Sequence, residues 1–380
     1  MLFSPDHHFD EFDAFVETRK ESRSHPLVRR LKALASDRAG VSRRVVRYVE
    51  KMTASRLLLN TIHEWVVGEG RDSPFFLMAN LVDTHYAWTP SPRMLLRHLR
   101  FNPAYLLKQD FVTLQPWQFN TEKKQVTPTH RHTWRCLYNA AVSHVDYEVG
   151  RFLRRLRRWT GWNNTIVVIT SDHGEMLGEY RDIVGHMLSL HDNLLHVPLI
   201  VHHPDYPSGL KVQGVVQTLD LYPSILEWTG VPTASIPPAQ LQRPSLSQAV
   251  HTAEDTGGYA FAEEDYTDSY DVIGGLMSVN PKMDPKKYPR RQVAVHSARY
   301  KYIWYDDRPG EFYDLQEDPD EHENLVGRLD AESKVMLSRL QHAMNEWQSN
   351  LEIFSPELVD DAEEMNDEVI QRLQALGYIA

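Results

Sequence analysis

The stretch Thr165-Ile-Val-Val-Ile-Thr-Ser-Asp-His-Gly-Glu175, continued through Gly185-His186 to His196-Val-Pro-Leu-Ile-Val-His-His203, decides how the chain folds. It opens on a short β-branched apolar run, Ile166 to Thr170, of the kind that forms a strand buried on both faces. The run stops at Ser171-Asp172-His173-Gly174, so a carboxylate and an imidazole arrive together at a strand's carboxyl end. In open α/β sheets that edge is where ligands bind. Gly185-His186, His191-Asp192 and a second apolar run, Val197 to Val201, follow. Two strands thus flank a loop carrying Asp172, His173, Glu175, His186, His191 and Asp192, and a metal site is the natural reading of that donor set.

Upstream, Phe75 to Val82 reads as a second buried strand that ends at Asp83-Thr84-His85-Tyr86, again with a histidine just past the strand's end. His132 to Arg158 reads as a helix, because Leu137, Ala141, Val145, Val149, Phe152 and Leu156 recur at three- and four-residue steps. Arg154, Arg155, Arg157 and Arg158 close its last turns, where cations suit the helix dipole. Gly161 and Asn163-Asn164 then turn into the central strand, giving half of a crossover unit. Residues 26–66 read as one or two amphipathic helices with Leu31, Leu34, Val45, Val46 and Val49 inward. Residues 87–128, broken by five prolines, form an irregular excursion that shapes substrate choice. Residues 231–258 read as a linker or lid. From Tyr259 onward come short strands, Tyr259–Ala262, Gln292–His296 and Tyr300–Tyr305, and Ala331 to Ser349 is a closing helix.

At 380 residues the chain holds one large α/β domain, or a large and a small one. A formal charge of −11 argues against nucleic acid as a partner. It leaves room for an anionic small substrate, since a metal and local cations reverse the field inside a pocket. Cys136 is the only cysteine, so no intrachain disulfide is possible. No run approaches the roughly 18 apolar residues of a membrane helix. The first residues show no signal peptide, which as read would suit a cytoplasmic chain, but an N-terminally incomplete chain leaves the compartment unassigned.

Ser-Asp-His-Gly-Glu at 171–175, then Leu177-Gly178-Glu179, Gly185-His186 and His196-Val-Pro-Leu-Ile-Val201, resemble in order and spacing the C-terminal half of the sulfatase family, within the alkaline phosphatase superfamily. The resemblance implies an α/β fold with a largely parallel central sheet flanked by helices and a small C-terminal antiparallel subdomain. On that reading residues 1–250 are the sulfatase-like domain, N-terminally incomplete, and residues 251–380 the small subdomain with closing helices. Glu311-Phe-Tyr-Asp-Leu315 with Asp318-Pro319 and the ending Leu376-Gly-Tyr-Ile-Ala380 also resemble the family. Residues 6–13 are either an irregular acidic start or the family's acidic loop downstream of the nucleophile. Val215 to Ser224 resembles the family's strand-to-helix segment, in which Asp220 is a cap or structural hydrogen-bond partner.

Hydrolysing a sulfate or phosphate ester needs a nucleophile, positive charge on the non-bridging oxygens, and an acid for the leaving group. By the resemblance, Asp172 and His173 are ligands of a divalent metal, and His85 and His186 bind the ester group and act in catalysis. The family's metal is typically calcium, whereas the nitrogen of His173 suits manganese or zinc. The implied substrate is a small-molecule or glycan sulfate ester. The family's nucleophile is a Cys or Ser in Cys/Ser-x-Pro/Ala-x-Arg, but Cys136 is followed by Leu137-Tyr138-Asn139-Ala140 and reads as a core thiol. The nucleophile is therefore unassigned. The expected function is that of a metal-dependent sulfate monoester hydrolase, as a fragment or truncated homologue. The alternatives are a catalytically inactive sulfatase-like binding protein and a phosphate or phosphonate monoester hydrolase of the same superfamily.

Overall fold

The computed structural model describes residues 43–68, 70, 74–86, 88, 90–98, 117–232, 243–252, 258–267 and 272–350. The expectations for residues 6–13, for the first part of 26–66 and for the C-terminal ending lie outside them. In chain order the described residues include helices α1 (Arg43–Val67), α2 (Pro92–His98) and α3 (Pro128–Thr160), then strands β1 (Val167–Thr170), β2 (Met176–Leu177) and β3 (Val184–Gly185). A single turn α4 (Asp192–Leu195), strand β4 (Leu199–His202), helix α5 (Leu221–Thr229), strand β5 (Ala260–Asp265) and helix α6 (Val272–Val279) follow. Strands β6 (Arg291–His296), β7 (Tyr300–Tyr305) and β8 (Glu311–Asp314) and helix α7 (Ala331–Asn350) close the order. The backbone groups into two compact units, Met1–Val326 and Gly327–Ala380, and α7 is the described part of the second.

Helix α3 starts earlier than its apolar period, because Thr127 and Pro128 form the start signal. The Thr127 hydroxyl accepts the His130 N–H at 3.2 Å, the His130 ring accepts the Thr127 N–H at 3.1 Å, and Pro128 occupies the first turn. Gly161, at φ +71°, ends the helix in the left-handed conformation. Phe152 and Leu156 pack against Leu58, Leu59, Ile62 and Val66 of α1. Arg151 and Arg155 both donate to Asn60 Oδ1, at 3.3 and 2.9 Å, so basic residues of α3 also tie the two helices together.

The α/β class holds, but its ladders differ from the expected order. Strand β1 pairs with β4 antiparallel, from Val167↔His202 to Thr170↔Leu199, and every described strand pair is antiparallel. The strand expected at Phe75–Val82 has no ladder; Phe75, Phe76 and Met78 are exposed, and Val82–Thr84 is a 3-10 turn. An apolar run records a preference for leaving water, whereas a strand also needs a neighbour that takes its N–H and C=O groups. Asp220 behaves as expected: its carboxylate accepts the Gln217 N–H at 2.8 Å and pairs with Arg243 at 2.7 Å.

The segment between β1 and β4 is built into the core. Strands β2 and β3 form a hairpin whose alternate residues face opposite ways. Leu177 and Val184 join Trp88, Phe119, Trp134 and Leu137, while Met176 and Ile183 join Leu188, Leu194, Ile273 and Tyr288. Asn120 makes both hydrogen bonds of a ladder partner to Val184, at 2.9 and 3.0 Å. Toward the C-terminus β5-β6-β7-β8 form one antiparallel sheet. From it Lys301, fully buried, reaches Asp192 Oδ1 at 2.6 Å and Glu321 Oε1 at 2.7 Å. The Asp192 N–H donates to Glu321 Oε2 at 2.6 Å. Burial alone would raise the Asp192 carboxyl, but the His296 hydrogen bond and the Lys301 charge outweigh it and hold it well below the usual carboxylate range.

Neighbouring His191 is also buried, its Nδ1 against Ser189 Oγ at 2.8 Å and its ring against Tyr180 at 3.7 Å. Burial first, then the charges of Lys301 and Arg181, push its pKa down to about 3, with Asp192 opposing. The Glu311 carboxylate, 3.6 Å away, is taken up by Arg181 and by the hydroxyls of Tyr180, Tyr305 and Tyr313.

Two outcomes follow from these buried charges. Lys301→Met leaves Asp192 and Glu321 as facing buried carboxylates and lowers the unfolding free energy by about 3–5 kcal/mol in urea titration; a loss under about 1 kcal/mol would show that the network holds nothing. For His191, the unfolded chain titrates near ~6.5 and binds more protons than the folded one between there and the folded value, so stability falls as the pH drops. Going from pH 7 to pH 5 removes about 2 kcal/mol through this residue, and His191→Gln lacks that part of the pH slope.

Candidate active site

Three separate segments deliver the site. At the carboxyl end of β1, the Ser171 hydroxyl donates to the His173 carbonyl at 2.8 Å, and the His173 N–H donates to Asp172 Oδ1 at 2.9 Å. This tight turn is pinned to the α4 turn: the Gly174 N–H donates to Leu194 O at 2.8 Å and the Glu175 N–H to Asn193 O at 3.0 Å. A Cβ on Gly174 would lie 1.9 Å from Asn193 O, so only glycine allows the two backbones to approach. His186 follows β3 directly. His85 follows the 3-10 turn, whose Asp83 is buried, accepts from Ser55 of α1 and lies 3.8 Å from His144 of α3.

The imidazoles of His85, His173 and His186 come together. His173 stacks on His186 with centroids 4.4 Å apart and planes 16° apart; His85 lies 4.8 Å from His186 and 6.4 Å from His173. Asp172 Oδ2 lies 3.8 Å from His173 Nε2. The four residues singled out in the sequence therefore gather at one place, although His85 is not preceded by a ladder strand.

His173 Nδ1 donates to the Gly174 carbonyl at 2.8 Å, which places the lone pair of the neutral ring on Nε2, on the side of Asp172. That is the tautomer a metal-ligating histidine needs. Burial raises the Asp172 carboxyl, but His173, its N–H and the Ser171 hydroxyl outweigh this and leave it below the ordinary value. An oxygen and a nitrogen donor thus fit a divalent cation as two of its ligands. Among the described residues no group of three or more His, Cys, Asp or Glu side chains could hold a metal by itself. His186 does not complete such a set with His173, since lone pairs lie in the ring plane and stacked rings point them side by side. His85 Nδ1 donates to the Tyr86 carbonyl at 2.6 Å, fixing that ring as well.

Glu175 is a further member: the sequence counts it among the loop's donors but assigns it no part in holding the metal or the ester. Its side chain is only 2% exposed, and Oε1 lies 3.8 Å from His186 Nδ1. Burial, then the Glu175 charge, raises the hydroxyls of Tyr86 and Tyr138. The signal available in the sequence is the two-residue step from His173, which places both on one side of an extended segment. Cys136 sits on α3, buried, with its Sγ 3.7 Å from His132 Nε2. Burial raises its thiol, as a core cysteine requires.

Comparison with known proteins gives the same picture. The sulfatase family model matches residues 3–231, and the model of the N-sulphoglucosamine sulphohydrolase C-terminal region matches residues 186–350. A sulfatase of Formosa agariphila is 31% identical over 198 residues, covering 52% of this chain and 33% of that protein. Arylsulfatase K of Danio rerio is 28% identical over 199 residues, covering 51% of this chain and 34% of that one. The chain thus spans about a third of the length of these relatives. Among solved structures, the phosphonate monoester hydrolase of Agrobacterium radiobacter superposes with a TM-score of 0.57 at 22% identity, over 80% of this chain and 62% of that one. This likeness supports the α/β fold. With more than half of its residues matched by the family model, the chain belongs to the sulfatase family.

Proposed function

We propose that this chain carries the metal-binding and anion-binding side of a site that hydrolyses sulfate monoesters. The observation that supports the reading best is the meeting of His85, His173 and His186, from three distant segments, beside Asp172. Asp172 and His173 would hold a divalent cation. Sulfatases are in general metal-dependent. Such a cation supplies positive charge to the sulfuryl oxygens and sharpens a nucleophile at neutral pH. His85 and His186 bind the remaining oxygens, and the one nearer the bridging oxygen gives a proton to the departing alcohol as the S–O bond breaks. The family type is calcium, while the nitrogen of His173 favours manganese or zinc.

The reaction also needs a nucleophile, and within these residues no Cys/Ser-x-Pro/Ala-x-Arg segment exists; Cys136, the one cysteine, is buried on α3. That observation favours a second reading, sulfate-ester binding without turnover. A phosphate or phosphonate ester is the third candidate substrate.

Calorimetric titration of the chain with Mn²⁺, Zn²⁺ and Ca²⁺ tests the metal site. Asp172→Ala and His173→Ala weaken binding at least about tenfold, while His85→Ala leaves it within about threefold. Equal affinity in all variants overturns the assignment. Where the protein that holds this chain also supplies the nucleophile, 4-nitrophenyl sulfate is, with metal added, turned over faster than the phosphate and phosphonate analogues, and His85→Ala or His186→Ala lowers kcat/KM about 10²–10⁴-fold. Binding of the sulfate ester without turnover establishes the second reading. Absence of both binding and turnover rejects the two together.

A further inference from the structure

Glu175 is buried, negatively charged in its ionised form, and serves no role in the reading above. Its N–H is tied to Asn193 O at 3.0 Å, and its carboxylate lies inward against His186. Glu175 Oε1 and His186 Nδ1 are both buried, and neither has a hydrogen-bond partner of its own. A buried acceptor and a buried ring nitrogen without partners are uncommon in a folded protein, and each is what the other lacks. They lie 3.8 Å apart, a small rotation of either side chain away from a hydrogen bond. The rest of the His186 ring is fixed by its stack on His173 and its approach to His85, so the remaining freedom is which nitrogen carries the proton and which edge faces the other two rings.

We infer that Glu175 is the positioning residue of His186. Its Oε1 accepts the Nδ1–H, sets the ring's tautomer and turns the Nε2 edge toward the space shared with His85 and His173, where a ring that carries a second proton donates Nε2–H to an ester oxygen. This deepens the hydrolase reading and rests on it for its chemical purpose. The interaction itself does not depend on turnover. The geometry parallels that of histidines held by a carboxylate behind the reacting edge, where loss of the supporting partner typically lowers activity about 10–100-fold.

The test uses the 380-residue chain, metal-free, with ¹⁵N-labelled histidine, and assigns the His186 signal by its loss in His186→Asn. The expected spectrum shows the proton of His186 on Nδ1, moving to Nε2 in Glu175→Ala and remaining on Nδ1 in Glu175→Gln, which keeps an acceptor oxygen. Wild-type His186 with its proton on Nε2 alone overturns the inference, whether or not any variant folds. In the metal-loaded chain hydrolysing 4-nitrophenyl sulfate, Glu175→Ala lowers kcat about 10–100-fold and Glu175→Gln restores most of it. Equal loss in both variants, with unchanged thermal unfolding, also overturns it. If wild type gives the Nδ1 signal but no turnover, the hydrolase reading fails and the positioning role stands.

Discussion

The close approach of two backbones at Gly174 is the constraint on which the site depends. The turn after β1 and the α4 turn meet through two N–H···O=C bonds, with no room for a side chain between them. His173 lies immediately before that seam and Glu175 immediately after it, so the directions of both side chains are set by backbone rather than by side-chain packing. The α4 turn is in turn fixed from below, where Asp192 meets Lys301 and Glu321. Buried ion networks add little net stability over an apolar core of the same size, but they tolerate few alternative arrangements. A register fixed in this way suits a site whose groups must be held to fractions of an ångström.

The other two histidines are held by different means. His85 hangs from a turn whose Asp83 is locked between α1 and α3 by Ser55 and His144. His186 is placed by a two-residue strand that is too short to be stable alone and borrows a ladder partner from the Asn120 side chain. Above and below, separate apolar clusters close over the hairpin. Each histidine thus has its own anchor.

Much of this was legible from residue order. Asp172-His173 after a β-branched run, His186 after a glycine and His85 after an apolar run all show where a chain changes direction, and such corners are written in local residue types. Partners across space were not legible. Phe75 to Val82 has the composition of a strand, but nothing local states whether a neighbour exists to pair with it. Lys301 stands in Tyr-Lys-Tyr-Ile-Trp-Tyr, where alternation places one face toward solvent; both faces are in fact covered, and the lysine is buried against two carboxylates. Glu175 was legible as one donor of the loop, but not as the buried neighbour of His186, because its burial depends on the hairpin folding back over it. The start of α3 was in plain view at Thr127-Pro128, yet a reading by apolar period passes over it, since a cap is polar by nature.

Lys301 lies 109 residues beyond Asp192. On the ribosome, the loop with Asp172 and His173 emerges well before the cation that fixes the turn beneath it. Until β7 has been made, Asp192 lacks Lys301 and has only His296 of β6 to meet it, so the turn is held by one contact instead of two. The turn beneath the three histidines is therefore completed late in biosynthesis, only after the small sheet has closed.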